Sequence, residues 1–164
     1  MIVVSDTSPL SYLRQIGRPN LLADLFGNII IPPAVLAEWR CDTPVERELL
    51  QMFPWVKVVA PRNTVAVEQL EQELDRGEAE AIVVAEELHA ELLVIDEKDG
   101  REVAERRGLT ITGLLGVLLR SKRRSLLPLI RPDIERLLTQ TNFHAEQALV
   151  NKVLHAASEP PLFS

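Results

Sequence analysis

Four acidic residues stand out by their position in the chain. Asp6 closes the β-branched run Ile2–Ser5, and Asp96 closes the apolar run Leu92–Ile95. Glu38 follows the apolar turn Ala34–Ala37, and Glu78 follows Gly77 at the head of a long apolar stretch, Glu78–Ala90. Carboxylates so placed emerge where buried segments reach the surface. Brought together they cannot all ionise without compensation, because like charges raise one another's pKa. A hard divalent cation supplies that compensation, and all-oxygen ligation suits Mg²⁺ or Mn²⁺. The chemistry on offer is metal-assisted hydrolysis of a phosphodiester. Each acid also has a plainer role open to it. Asp6 can cap a helix, Glu78 can complement a helix dipole, Glu38 can be a solvated helix-end carboxylate, and Asp96-Glu97-Lys98-Asp99 can be a polar turn. Glu80 and Glu86 compete with Glu78 on the same helix.

The elements that must position these acids alternate along the chain. Strand-like runs are Ile2–Ser5, Asn28–Ile31, Val56–Ala60, Leu92–Ile95 and Leu109–Thr112. Helical stretches begin with one opened by Ser8 as N-cap and Pro9 at the first position. They continue with Ala34–Arg40, Val65–Leu74, Glu78–Ala90 after the Asp75-Arg76-Gly77 break, and Arg101–Arg107 closed by Gly108. Leu114–Arg123, Pro132–Thr141 and Ala145–Ala157 form a helical C-terminal third. Short apolar strands without alternation, separated by helices, indicate a parallel sheet covered on both faces. The expected class is three-layer α/β/α with right-handed crossovers, and ligands in such sheets bind beyond the carboxyl ends of the strands. Residues 1–157 read as one domain, and Ser158–Ser164 as a frayed tail.

The 164 residues are 46% hydrophobic and 26% charged, which excludes a disordered or fibrous chain. Twenty-four acids against 18 bases give a net charge of −6, which argues against general electrostatic wrapping of nucleic acid but permits a carboxylate-lined metal site. A single cysteine, Cys41, rules out a disulfide framework and a Cys-cluster zinc site and reads as a reduced, inert thiol. His89, His144 and His155 share no metal-ligand spacing. No secretory leader is visible, and the apolar stretches Ile29–Ala37 and Leu114–Leu119 are too short to span a bilayer. These features point to a cytoplasmic protein with no membrane contact.

Four segments resemble the PIN-domain family. They are Asp6-Thr-Ser-Pro-Leu10, the run ending Pro-Pro-Ala-Val-Leu-Ala-Glu38, Gly77-Glu-Ala-Glu-Ala-Ile82, and Leu-Val-Ile-Asp96-Glu-Lys-Asp-Gly-Arg101. They arrive in that family's order and spacing over about residues 1–125. The chain is most similar to small prokaryotic PIN proteins, relatives of the toxin half of VapBC-type toxin–antitoxin pairs. The resemblance implies a parallel sheet in the order 3-2-1-4-5 and a Mg²⁺- or Mn²⁺-dependent endoribonuclease site. Asp6, Glu38, Glu78 and Asp96 would be the catalytic acids, with Asp6, Glu78 and Asp96 on the metal. Two features depart from the toxin pattern. Glu78 stands where many members have Asp, and Ile95-Asp96-Glu97 replaces Thr-x-Asp. Glu97 and Asp99 therefore stay open beside Asp96 as the fourth acid.

Thr7 and Ser8 would place hydroxyls near the metal or a phosphate, and Arg101 would reach a phosphate beside it. The one concentrated basic segment, Arg120-Ser-Lys-Arg-Arg124, would grip RNA through Lys122, Arg123 and Arg124, or be a solvated helix end. Trp39 and Trp55 read as core or interface residues more readily than as base-stacking platforms. Ala145, Leu149 and Val153, with Leu154 and Ala156-Ala157, form an apolar stripe that packs on the domain or meets a partner. The expected partners are RNA, an antitoxin protein and a second copy of the chain. Two other readings stand beside the nuclease. One is a catalytically silent PIN scaffold that binds RNA or protein. The other is a HAD-type phosphohydrolase using Asp6, against which Ser8 occupies the place of that class's second aspartate.

Overall fold

Three-residue runs of branched apolar side chains build the centre of the fold. The computed structural model describes residues 1–39 and 46–164. The element order is β1 (Val3–Ser5), α1 (Thr7–Gln15), α2 (Leu21–Phe26), β2 (Ile29–Ile31), α3 (Pro33–Trp39), α4 (Glu46–Met52), β3 (Val56–Val58) and α5 (Thr64–Leu70). It continues with α6 (Arg76–Glu87), β4 (Leu92–Val94), α7 (Lys98–Arg106), β5 (Ile111–Thr112), α8 (Leu114–Arg123), α9 (Arg131–Gln140) and α10 (Gln147–Ala156). The five strands form one all-parallel sheet in the order β3-β2-β1-β4-β5. This is the α/β/α architecture and strand order expected above. Cys41, and the Arg40 end of the expected Ala34–Arg40 helix, lie outside the described residues.

Alternation along the strands divides the core between two layers. Val3, Ile29, Ile31, Leu92 and Val94 face a layer built on α1, α2, α3, α8, α9 and α10. Val4, Leu93 and Ile95 face the opposite layer, built on α5, α6 and α7. Both faces are covered, so successive strand residues all need apolar side chains. Trp39, Phe53 and Trp55 stack together in the first layer, with Trp39 and Phe53 centroids 5.1 Å apart, and Trp55 Nε1 donates to Asn20. The tryptophans are therefore packing residues.

Several boundaries differ from the sequence expectation, each for a local reason. Helix α1 starts at Thr7 with Asp6 at its N-cap position, so Ser8 is not the cap. Helix α6 starts at Arg76 because Asp75 and Glu78 form a capping box that absorbs the expected break. Helix α2, unread in the sequence, is held by buried Leu21, Leu22 and Leu25 and ends at Gly27, whose φ of 78° suits only a residue without Cβ. On α10 the buried face is Val150 and Leu154, while Leu149 is exposed. Among the described residues, no helix is long and apolar enough to cross a membrane.

The C-terminal segment is docked, contrary to the frayed tail expected for 158–164. Asn151 accepts from the Leu162 and Phe163 amides and donates to Phe163 O, and both side chains pack on the first layer. Glu159 is 7% exposed and accepts from the Ile130 and Arg131 amides, where α9 begins, and from Lys122 Nζ at 3.0 Å. Burial pushes its carboxyl up, but those amides and the Lys122 ammonium outweigh it and hold the pKa below the usual value.

Glu159→Ala strands a buried amide, a half-buried amide and a half-buried ammonium, a loss of about 2–3 kcal/mol. Thermal denaturation should show the midpoint falling by roughly 4–12 °C. A midpoint within a degree of wild type would mean the tail does not hold α9 in place.

Candidate functional site

In a parallel sheet the crossover helices run back against the strands, so helix N-termini collect at the carboxyl edge. Orphan amides and the positive ends of helix dipoles accumulate there. The acids singled out in the sequence meet those amides. The Asp6 amide donates to Val94 O at 2.9 Å, which carries the β1–β4 pairing up to the N-cap of α1. The Asp6 side chain is only 3% exposed, and its Oδ1 is buried without a hydrogen-bond partner among the described residues. Burial pushes its carboxyl up to about 7; the Thr7 amide partly offsets this, and Asp75, Glu38 and Glu97 add to it.

Helices α3 and α6 exchange carboxylates across this edge. Glu80, buried on α6, accepts from the Ala34 amide in the first turn of α3 at 3.0 Å and pairs with Arg76 Nε at 3.0 Å. Glu38 on α3 takes a hydrogen bond from the Gly77 amide in the first turn of α6 and from Thr7 Oγ1 at 2.7 Å. Burial raises the Glu38 pKa, with these two donors opposing it and Asp75 and Glu80 reinforcing it. Glu80 thus ties down the helix that carries Glu38, and Glu86, the other competitor of Glu78, pairs with Arg107.

Glu78 is the third residue of α6. Its amide donates to Asp75 Oδ1 at 2.8 Å, and its Oε1 accepts from the Asp75 amide at 3.3 Å. Its Oε2 is buried without a partner among the described residues. Burial, then Asp75, then the Asp6 charge push its pKa well up. Asp96 follows β4 and accepts from the Leu114 amide at 3.0 Å, where α8 begins, leaving Oδ2 buried and unpartnered among the described residues. Burial raises its carboxyl to about 6, against the Leu114 amide and Arg101. Glu97 caps α7 and Asp99 lies in its first turn, both exposed, so Asp96, half-buried with Oδ2 fully covered, is the inward member of the three.

The structure thus brings Asp6, Thr7, Glu38, Glu78 and Asp96 to one edge, with Ser8 in the first turn of α1 and Arg101 electrostatically beside Asp96. The basic segment stands apart. It ends α8, about 13 Å along the helix from Leu114. Lys122 is bonded to Glu159 and Ala157 O, and Arg124 donates to Leu25 O at 3.0 Å. Two of the three cations expected to grip RNA therefore hold the fold together, and Arg123 is exposed. Sequence reading missed the anchoring role of Glu80 and that of Asp75 in the capping box. The Asp75-x-x-Glu78 spacing was the signal for the latter.

Among the described residues, no three His, Cys, Asp or Glu side chains already stand as a ligand cluster. The donor chemistry nevertheless fits a hard cation. Asp6, Glu78 and Asp96 each present one buried carboxylate oxygen without a partner, and all three have raised pKa values that a divalent ion would offset.

A family model described as a PIN domain matches residues 2–159. None of the curated proteins compared matches the chain. A similar solved structure is that of a PilT N-terminus domain protein from the hyperthermophilic archaeon Sulfolobus solfataricus P2. It is 19% identical, with 89% of this chain and 98% of that one covered and a TM-score of 0.45.

Two outcomes follow from this geometry. The Asp6 carboxyl is held at about 7 in the fold against an ordinary 3.8. The folded state keeps a proton that the unfolded state has lost, so stability falls as pH rises from about 4 to 7. In EDTA, Asp6→Asn should be more stable than wild type at pH 8 by about 1–4 kcal/mol, with the gain gone at pH 4. Urea midpoints at both values check this, and an equal gain at both would refute it. Glu80→Ala should cost about 1–3 kcal/mol through the stranded Ala34 amide, and Glu80→Gln, which keeps an acceptor, clearly less. Equal losses would remove the amide contact as the cause.

Proposed function

The chain belongs to the PIN-domain family, whose members are typically nucleases, and from that premise we propose that it is a metal-dependent endoribonuclease. The observation that carries this reading is the set of three buried carboxylate oxygens without partners, on Asp6, Glu78 and Asp96. These residues would hold Mg²⁺ or Mn²⁺. When bound, the ion supplies Lewis acidity toward an RNA phosphodiester and lowers the pKa of water at the site.

The protein's own groups do the rest. Helix N-terminal amides at Gly77 and Leu114 hold one side of Glu38 and Asp96, which orients these acids before substrate arrives. Thr7 Oγ1 donates to Glu38, which would be a further acceptor for water at the site. Arg101, beside Asp96, is the cation nearest in charge terms to that acid and would meet a phosphate there. The family match favours this reading over the phosphohydrolase. On the same reading an antitoxin protein controls the activity and a second copy of the chain is a partner. Leu126, Leu129 and Leu149 are exposed apolar residues such partners would cover.

The test compares wild type and Asp6→Asn on a mixed pool of structured and single-stranded RNA, with Mn²⁺, Mg²⁺ or EDTA. Cleavage should require the metal and fall by at least about 100-fold in Asp6→Asn. Equal cleavage by both proteins would move the reaction away from Asp6. Absence of both cleavage and calorimetric metal uptake would favour the silent scaffold.

A further inference from the structure

Three acids of this edge rest on glycines, at distances a side chain would not permit. A Cβ on Gly77 would stand 2.6 Å from Glu38 Oε1, and one on Gly113 would stand 2.6 Å from Asp96 Oδ1. The tightest case is Gly100, the third residue of α7. There a Cβ would overlap Glu78 Oε2, the oxygen without a partner, with Ile95 Cδ1 at 2.7 Å and Glu78 Cδ at 3.3 Å.

Nothing in the backbone requires glycine at position 100. Its φ is not positive, and within a helix alanine is the better residue. The space a methyl group would take is filled by a carboxylate oxygen from α6. That oxygen cannot swing freely aside, because the Asp75 amide holds Oε1 of the same carboxylate.

We infer that Gly100 is a positioning residue for Glu78: its bare Cα lets the longer glutamate arm lay its free oxygen against the first turn of α7. Alanine at 100 drives the carboxylate out of that place. Aspartate at 78 is one methylene shorter, so it withdraws the oxygens and relieves the overlap. The consequence for metal binding rests on the reading above, whereas the placement of the carboxylate does not.

The experiment uses the full chain as wild type, Gly100→Ala, Glu78→Asp and the double variant, each titrated calorimetrically with Mn²⁺ alone. Gly100→Ala should weaken Mn²⁺ binding about tenfold or more, and the double variant should bind more tightly than Gly100→Ala, a coupling of contacting residues. Ile95 must shift in both alanine proteins, so their difference reports the carboxylate. Wild-type affinity in Gly100→Ala, or a double variant no tighter than the single, overturns the proposal. A crystal structure of metal-free Gly100→Ala adds a readout independent of any ion. Displacement of Glu78 Oε2 from residue 100 supports the proposal, and an unmoved carboxylate overturns it. Wild type that binds Mn²⁺ yet cleaves no RNA would remove the nuclease reading and leave this one intact.

Discussion

The structure turns on the meeting of buried carboxylates with helix N-termini at one edge of a parallel sheet. Burial alone would make these acids prohibitively costly. Amides at the starts of α3, α6 and α8 answer one oxygen each of Glu80, Glu38 and Asp96, and Asp75 answers the Glu78 amide. Three helices gain partners for donors that would otherwise be orphaned, and the acids gain partial compensation. The same contacts build the fold and aim the acidic side chains.

Compensation is incomplete, and that incompleteness sets the acids of the edge apart from one another. Glu38 and Glu80 have donors for their carboxylates from backbone and side chain. Asp6, Glu78 and Asp96 each keep one buried oxygen unanswered among the described residues, and all three hold protons more tightly than ordinary carboxyls. Nearby acids therefore separate into two kinds. Glu80 anchors a helix, whereas Glu78, two residues earlier, is aimed into the gap beside α7.

Much of this was legible along the chain, because strand tips are marked locally. A β-branched run ending in an acid, or Gly-Glu before an apolar helix, needs no distant contact to be noticed. Features that depend on distant partners were misread for the same reason. The tail looked frayed because nothing near Glu159 in sequence announces the Ile130 and Arg131 amides. Lys122 and Arg124 looked free because Glu159 and Leu25 O lie far away along the chain. Ser8-Pro9 mimicked a cap, yet α1 starts one residue after Asp6 because the β1–β4 pairing ends there.

The sequence by itself determined the α/β class, the parallel strands, the acids just past two strand ends, Asp6 and Asp96, and the two on helices, Glu38 and Glu78. Period and composition carry those properties, and each is set within a few consecutive residues. Tertiary structure alone decided which oxygens of those acids are answered and which are left free. It also decided that Asp96 turns an oxygen inward while Glu97 and Asp99 face solvent, and that Gly100 lies beneath Glu78. Those outcomes depend on the separation of helices remote in sequence, which packing over two core layers sets and no local pattern encodes.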